Sequence, residues 1–172
     1  RVHCIIDHGG DANNIIPAYT RSTWGIRSAD SERLEELIPK VHACFEAAAR
    51  ATGCRLDLGP IGHPYLNMIN NEIMTELFQE NSTALGRPLR LEAELGASGG
   101  SSDMGNLSHV VPSIHPMLAI ETNGAVNHQK EFAAATVTES GDEAIREGAL
   151  AMAHTIIDMA EGDVWERLGG TG

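Results

Sequence analysis

The sequence predicts a mixed α/β (α+β) chain in two parts, on three observations. Short segments near the N-terminus alternate apolar and polar residues as paired strands do. An apolar pattern of helical period runs from Asp30 to Ala51. Gly59-Pro60-Ile61-Gly62-His63-Pro64 has linker composition, and the character of the chain changes after it. A boundary there divides the chain into residues 1–59 and 60–172.

Val2, Ile5 and Ile6 already read as a half-buried strand, so the chain opens inside an element and is expected to be a fragment. Gly9 to Asn14 is a loop by its turn chemistry, and Ile15 to about Arg27 alternates well enough for a second strand paired antiparallel with the first. Leu34, Leu37, Ile38, Val41, Cys44, Phe45 and Ala48 then recur at the spacing of a helix with one buried face. Pro39 removes one backbone donor from it, and Gly53 suits its C-terminal cap. A short strand over 54–58 follows. Strand, strand, helix, strand is three-quarters of a split β-α-β sandwich, with one strand and one helix expected in front.

Beyond the linker the pattern predicts a helix near Leu66 to Leu85 ending at Gly86, a strand around Leu89 to Leu95, and a Gly/Ser-rich loop over 96–106. Val110 to Ile120 reads as extended, interrupted by Pro112 and Pro116. A last helix runs from about Glu139 to Ala160, with Ile145, Ala149, Met152, Ala153 and Ile156 expected on its buried face.

Composition excludes several function classes. The 24 acidic against 12 basic side chains give a formal charge of −12, and no Lys/Arg cluster exists to neutralise phosphates, which argues against nucleic acid. No apolar run has the length of a membrane span, and the N-terminus lacks the pattern of a signal peptide, so a cytoplasmic location is the expectation. Cys4, Cys44 and Cys54 form no C-x-x-C pair and are expected as reduced thiols buried in packing. Asn81-Ser82-Thr83 and Asn106-Leu107-Ser108 match the glycosylation pattern, which means nothing without secretion.

Five segments, in order, carry a resemblance. They are Asn14-Ile15-Ile16-Pro17 followed by Arg27; the helix with Phe45-Glu46-Ala47-Ala48-Ala49; the Ser101-Ser102-Asp103-Met104-Gly105-Asn106 loop; Ser108-His109-Val110-Val111-Pro112; and Asn127-His128 before Glu131-Phe132. Together they resemble the C-terminal portion of the aminoacylase and carboxypeptidase G family of co-catalytic metallopeptidases. Within it they look most like the amidohydrolase branch that includes aminobenzoyl-glutamate hydrolase and the Xaa-Arg dipeptidases.

The resemblance implies the rear of a partial ferredoxin-like lid and dimerisation domain over residues 1–59, and the closing part of a zinc-peptidase-like α/β catalytic domain over 60–172. It implies a zinc or other divalent metal such as manganese in the complete enzyme, with the other ligands and the general-base Glu in an N-terminal half expected to be missing here. His128 matches the last metal ligand of the family. His115 and His109 remain competitors, since a neutral imidazole is a normal zinc donor at any of these positions. Asp103 corresponds to a residue that supports a ligating imidazole, although Asp in a Gly/Ser loop is also an ordinary turn residue. Gly99 and Gly100 would let the backbone approach the metal site. Asn14 and Arg27, thirteen residues apart and read as lying on the two arms of one hairpin, match lid residues that hold a substrate carboxylate or amide oxygen, which a guanidinium fork suits.

The expected function is therefore that of a fragment of a metal-dependent amidohydrolase cleaving small N-acyl amino acids or dipeptide-like amides, inactive alone and part of a homo-oligomer. A non-catalytic dimerisation or partner-binding module derived from that family is the alternative. A general small-ligand domain is a third.

Overall fold

The computed structural model describes residues 1–90, 100–161 and 163–168. Two compact units divide the chain after Asn67. In the first, β1 (Val2–His8) and β2 (Arg21–Ile26) pair antiparallel with Val2 opposite Ile26 and His8 opposite Arg21, and the register slips between Ile6 and His8. β2 is shorter than the alternation suggests. Residues 15–20 belong to the connecting loop, where Pro17 has no N–H for a ladder and packs so closely on Gly10 that a Cβ there would meet its Cγ at 2.6 Å. The loop's far side is held by His8, whose ring stacks on Tyr19 at 6.0 Å.

The helix α1 (Ser31–Thr52) has the ends its sequence announces. Asp30 accepts from the Arg33 amide at 2.8 Å, filling one orphan donor of the first turn. Gly53 closes the other end at φ 69°, with Cys54 N–H reaching back to the Ala49 carbonyl at 3.0 Å. That is the left-handed cap glycine adopts without a Cβ penalty. Pro39 sits within the helix without ending it. Leu34, Leu37, Ile38, Val41 and Phe45 are half-buried, and Phe45 meets Trp24 of β2 edge-on at 4.9 Å. The segment 54–58 forms no strand. All three cysteines are free and exposed, against the expected burial. One helix on a two-stranded sheet shields little: β1 is exposed along its length and α1 has no fully buried residue.

The second unit is built on α2 (Glu72–Ala84) and α5 (Glu139–Ala160), with the short helices α3 (Met104–Ser108), α4 (Lys130–Ala135) and α6 (Val164–Arg167) around them. α2 begins later than expected because Asn71 caps it, its side chain accepting from Met74 N–H at 3.0 Å. Gly86, at φ 84°, follows its end. Of the strand expected at 89–95, residues 91–95 lie outside the described residues, and Leu89 and Arg90 are not in a strand. The loop expected over 96–106 carries the start of α3; its residues 96–99, Gly99 among them, lie outside the described residues.

α5 has the expected bounds but buries a different face, about a quarter-turn from the expected one. Gly141, Ala144, Gly148, Ala151 and Thr155 are its buried residues: α5 packs on α2, whose Phe78 and Ser82 are each 1% exposed, while Gly148 lies against Leu118 and Gly141 against the Thr136 backbone. Ile145, Met152 and Ile156 stand 71, 52 and 65% exposed instead. Small residues win the contact because they let the two backbones approach closely enough to exclude water, and Asn81 then reaches Asp158 at 2.6 Å across the seam. That same bond places the Asn81 amide inside the helix pair, so its glycosylation pattern has no bearing on the surface.

Residues 114–121 alternate half-buried with exposed positions, as an extended chain does, yet pair with no strand among the described residues. Their backbone is held from the side instead. Ser113 carbonyl accepts from Asn71 N–H at 2.9 Å, Ala119 carbonyl from Arg87 Nη1 at 2.7 Å, and Glu121 N–H donates to Ser140 Oγ at 2.9 Å.

Candidate functional site

Asn14 stands in a turn closed by Ile15 N–H on the Ala12 carbonyl at 3.3 Å, inside the loop that joins His8 to Arg21. It is not on a strand arm. Arg27 follows β2 at the opposite end of the hairpin, where its amide donates to the Arg1 carbonyl at 2.8 Å and its carbonyl accepts from the Arg1 α-amino group at 2.7 Å. The six residues of β2 between the loop's re-entry and Arg27 span roughly 20 Å. Both residues are exposed.

Asp103 precedes α3 with its carboxylate exposed. It does not cap the helix. Ser102 does, its hydroxyl accepting from Met104 N–H at 3.2 Å and its carbonyl from Gly105 N–H at 3.1 Å, which leaves the Asp103 carboxylate to a bond of 3.4 Å from the Ser102 hydroxyl. Ser108 ends α3 and ties it to the chain before α2: its hydroxyl donates to Gly105 carbonyl at 2.6 Å and accepts from Ile69 N–H at 3.0 Å.

His128 holds the least ordinary backbone of the candidates, at φ 71°. The turn explains it. Gln129 N–H closes on the Val126 carbonyl at 3.3 Å while Val126 N–H bonds the Gln129 side chain at 3.0 Å, so His128 occupies the third position of a tight turn that demands a left-handed residue there. Glycine would be the economical choice. A β-carbon in this region costs about 1–2 kcal/mol; the residue is exposed, two positions before α4. One turn earlier, Thr122 to Ala125 closes over Asn123 and Gly124, both at positive φ, the geometry for which Asn-Gly is the favoured pair.

His109 caps the end of α3 and His115 lies in the extended segment, its amide donating to Asn70 Oδ1 at 3.3 Å; both rings are exposed. Among the described residues no three His, Cys, Asp or Glu side chains come together as a metal cage. Two clefts open in this unit. One of about 380 Å³ lies between Asn70, Asn71, Ser108 and Ser113. The other, of about 690 Å³, lies between Arg87, Glu121, Ser140 and Glu143. Neither is lined by Asp103, His109, His115 or His128.

One residue the sequence did not single out organises this unit. Arg87 forms an ion pair with Glu147 of α5 while donating to Ala119, and its backbone exchanges bonds with Ser82. An Arg after a helix-ending glycine carries no signal of such a role.

No protein-family model matches the chain. The Xaa-Arg dipeptidase of Mus musculus is 38% identical over 160 residues, 92% of this chain and 37% of that protein. The Xaa-Arg dipeptidase of Homo sapiens is 36% identical over the same share of the chain and 36% of its own length. The uncharacterized protein YqjE of Bacillus subtilis is 27% identical over 115 residues, 66% of this chain and 30% of its own. The chain thus spans about a third of the length of the curated relatives it matches.

Proposed function

Because this chain is homologous to the Xaa-Arg dipeptidases over almost all of its length, we propose that it is the C-terminal segment of a metal-dependent hydrolase of the aminoacylase and carboxypeptidase G family, acting on small dipeptide-like or N-acyl amino acid amides. The observation that carries the reading is the continuous 38% identity across 160 residues. Substrates with a C-terminal Arg head the panel on the strength of the relatives' name alone.

In this reading His128 offers one imidazole nitrogen to a zinc or manganese ion. The exposure of His128 supports it, since a donor from elsewhere in the polypeptide can join an exposed ring. Among the described residues no metal centre is complete, and a catalytic zinc takes about three protein ligands. Asp103 is assigned to orienting an imidazole, Arg27 to a carboxylate of the substrate, and Asn14, about 20 Å away along β2, to a separate polar contact.

The test compares the isolated 172-residue chain with a chimaera in which it replaces the matching third of the mouse dipeptidase, each assayed on Xaa-Arg dipeptides and N-acyl amino acids with added zinc or manganese. Turnover by the chimaera and none by the isolated chain is expected. Turnover by the purified isolated chain overturns the fragment reading. A folded but inactive chimaera favours the non-catalytic module.

A further inference from the structure

Asn123 and Gly124 are the central pair of a tight turn, at φ 52° and 87°, closed by the Ala125 N–H on the Thr122 carbonyl at 3.0 Å. Asn-Gly suits that turn because both positions take positive φ. The same pair carries a reaction. An asparagine side-chain carbon can close a five-membered ring with the amide nitrogen of the next residue, and a side chain on that residue hinders the approach. Glycine has none. Asn123 is the one asparagine of this chain followed by glycine.

The structure sorts the asparagines further. Asn123 and Gly124 are both exposed, and a β-carbon on Gly124 would meet nothing within 4 Å, so the space around its nitrogen is open. Among the described residues the Asn123 carboxamide holds no hydrogen bond, and the amide that closes the turn is that of Ala125, not of Gly124. Asn81, followed by the small Ser82, is the contrary case. It lies within α2, its side chain donates to the Leu77 carbonyl at 3.0 Å and to Asp158 Oδ2 at 2.6 Å, and Ser82 is 1% exposed. Its carboxamide cannot turn toward the Ser82 nitrogen without parting α2 from α5. Asn127 is exposed, but the following His128 sets a side chain beside the nitrogen that would attack.

We propose that Asn123 is a site of spontaneous covalent modification, at which the chain and water convert the asparagine to aspartate and isoaspartate. The Gly124 nitrogen bonds to Asn123 Cγ as the Cγ–Nδ2 bond breaks, and Nδ2 leaves as ammonia, the Gly124 amide proton being balanced through solvent. Water then opens the succinimide. Addition at Cγ gives aspartate; addition at the main-chain carbonyl of residue 123 gives isoaspartate, with one more carbon in the backbone. No oxidant and no enzyme is required. Either product sets a carboxylate at the cleft where Glu121, Glu139 and Glu143 already lie and where Arg87 is engaged by Glu147, so like charges crowd. The isoaspartate also enlarges the ring that the Ala125–Thr122 bond closes, which opens the turn three residues before His128. The inference does not rest on the proposed function.

The test ages the purified 172-residue chain and its Asn123→Gln variant in mildly alkaline buffer, folded and in urea, with peptide mass spectrometry over time. Isoaspartate is scored by methyl uptake from an isoaspartyl methyltransferase. Asn123 should convert ahead of every other asparagine, and its folded rate should lie within about tenfold of the rate in urea, since one backbone bond closes the turn. Asn81 should react at least about 100-fold more slowly folded than in urea, because the helix pair must open first. Asn123→Gln, which would have to close a larger ring, should remove methyl uptake from this peptide. Hydrogen exchange at the Ala125 amide should be faster in the isoaspartate fraction than in the unaged chain. A folded rate at Asn123 more than about tenfold below that in urea overturns the proposal. So does earlier conversion at another asparagine, methyl uptake that survives Asn123→Gln, or unchanged exchange at Ala125.

Discussion

Gly148 of α5 lies directly beneath Leu118 of the extended segment, so close that a β-carbon on the glycine would stand 2.5 Å from Leu118 Cδ1. The contact joins α5 to the extended segment of the second unit. It also fixes which face of α5 turns inward.

Gly148→Ala should therefore destabilise the chain despite the better helix propensity of alanine. The propensity gain is about 1 kcal/mol, against roughly 1–3 kcal/mol for overpacking, for a net loss of up to about 2 kcal/mol. Leu118→Ala in the same chain should recover part of it, because the opposing group is the end of a flexible side chain. Gly141→Ala should cost more, since its β-carbon would meet the Thr136 carbonyl oxygen at 2.4 Å and backbone cannot swing aside. Urea midpoints of the three variants check the order; a Gly141→Ala chain as stable as the parent refutes it.

Arg87 and Glu147 form an ion pair with about a fifth of each side chain exposed. Breaking such a pair from one side strands the other charge, at a cost of about 1–3 kcal/mol once partial solvent contact is allowed for. Arg87→Ala should cost more than Glu147→Ala because the guanidinium also serves the Ala119 carbonyl. A double-mutant cycle by thermal unfolding should give a coupling above 0.5 kcal/mol, on the order seen for contacting residues. Zero coupling means the pair contributes nothing.

His128→Gly should relieve the left-handed backbone and raise the stability of the isolated chain by up to about 1 kcal/mol. In the longer enzyme the same change should empty or weaken one metal position. Asp103→Ala should weaken metal affinity or activity by about 10- to 100-fold there. Metal analysis of purified variants decides, and unchanged content and activity after His128→Ala would move the role to His109 or His115.

Arg27→Ala in the longer enzyme should lower kcat/KM by roughly 10- to 150-fold on a substrate with a free carboxylate, the worth of a charged hydrogen bond of about 1.5–3 kcal/mol. Lys at this position should restore only part of the loss, lacking the planar fork. Since β2 runs between the loop of Asn14 and Arg27, their substitutions should act additively. Equal penalties on the carboxylate and its carboxamide analogue would make the role of Arg27 structural.

Much of the architecture was legible in the residues themselves. α1 and α5 announce their bounds through helical period, and Asp30 and Gly53 mark the ends of α1 by local backbone chemistry that needs no distant partner. The family likeness was legible as well, from five short segments in order. Strand pairing was less so: Ile15 to Thr20 alternates like a strand, but Pro17 and the stacking of Tyr19 on His8 place it in a loop, and 114–121 has the alternation of a strand with no ladder among the described residues. The site residues were named by likeness; turn chemistry over 9–14 already put Asn14 in a loop, and the register of β1 on β2 put Arg27 at the opposite end of the hairpin. Nothing in the sequence ranks the two apolar faces of α5 correctly, because hydrophobicity favours Ile145, Met152 and Ile156. Tertiary packing chose Gly141, Ala144, Gly148 and Ala151, since α2 and Leu118 can approach only where there is no side chain to keep them away.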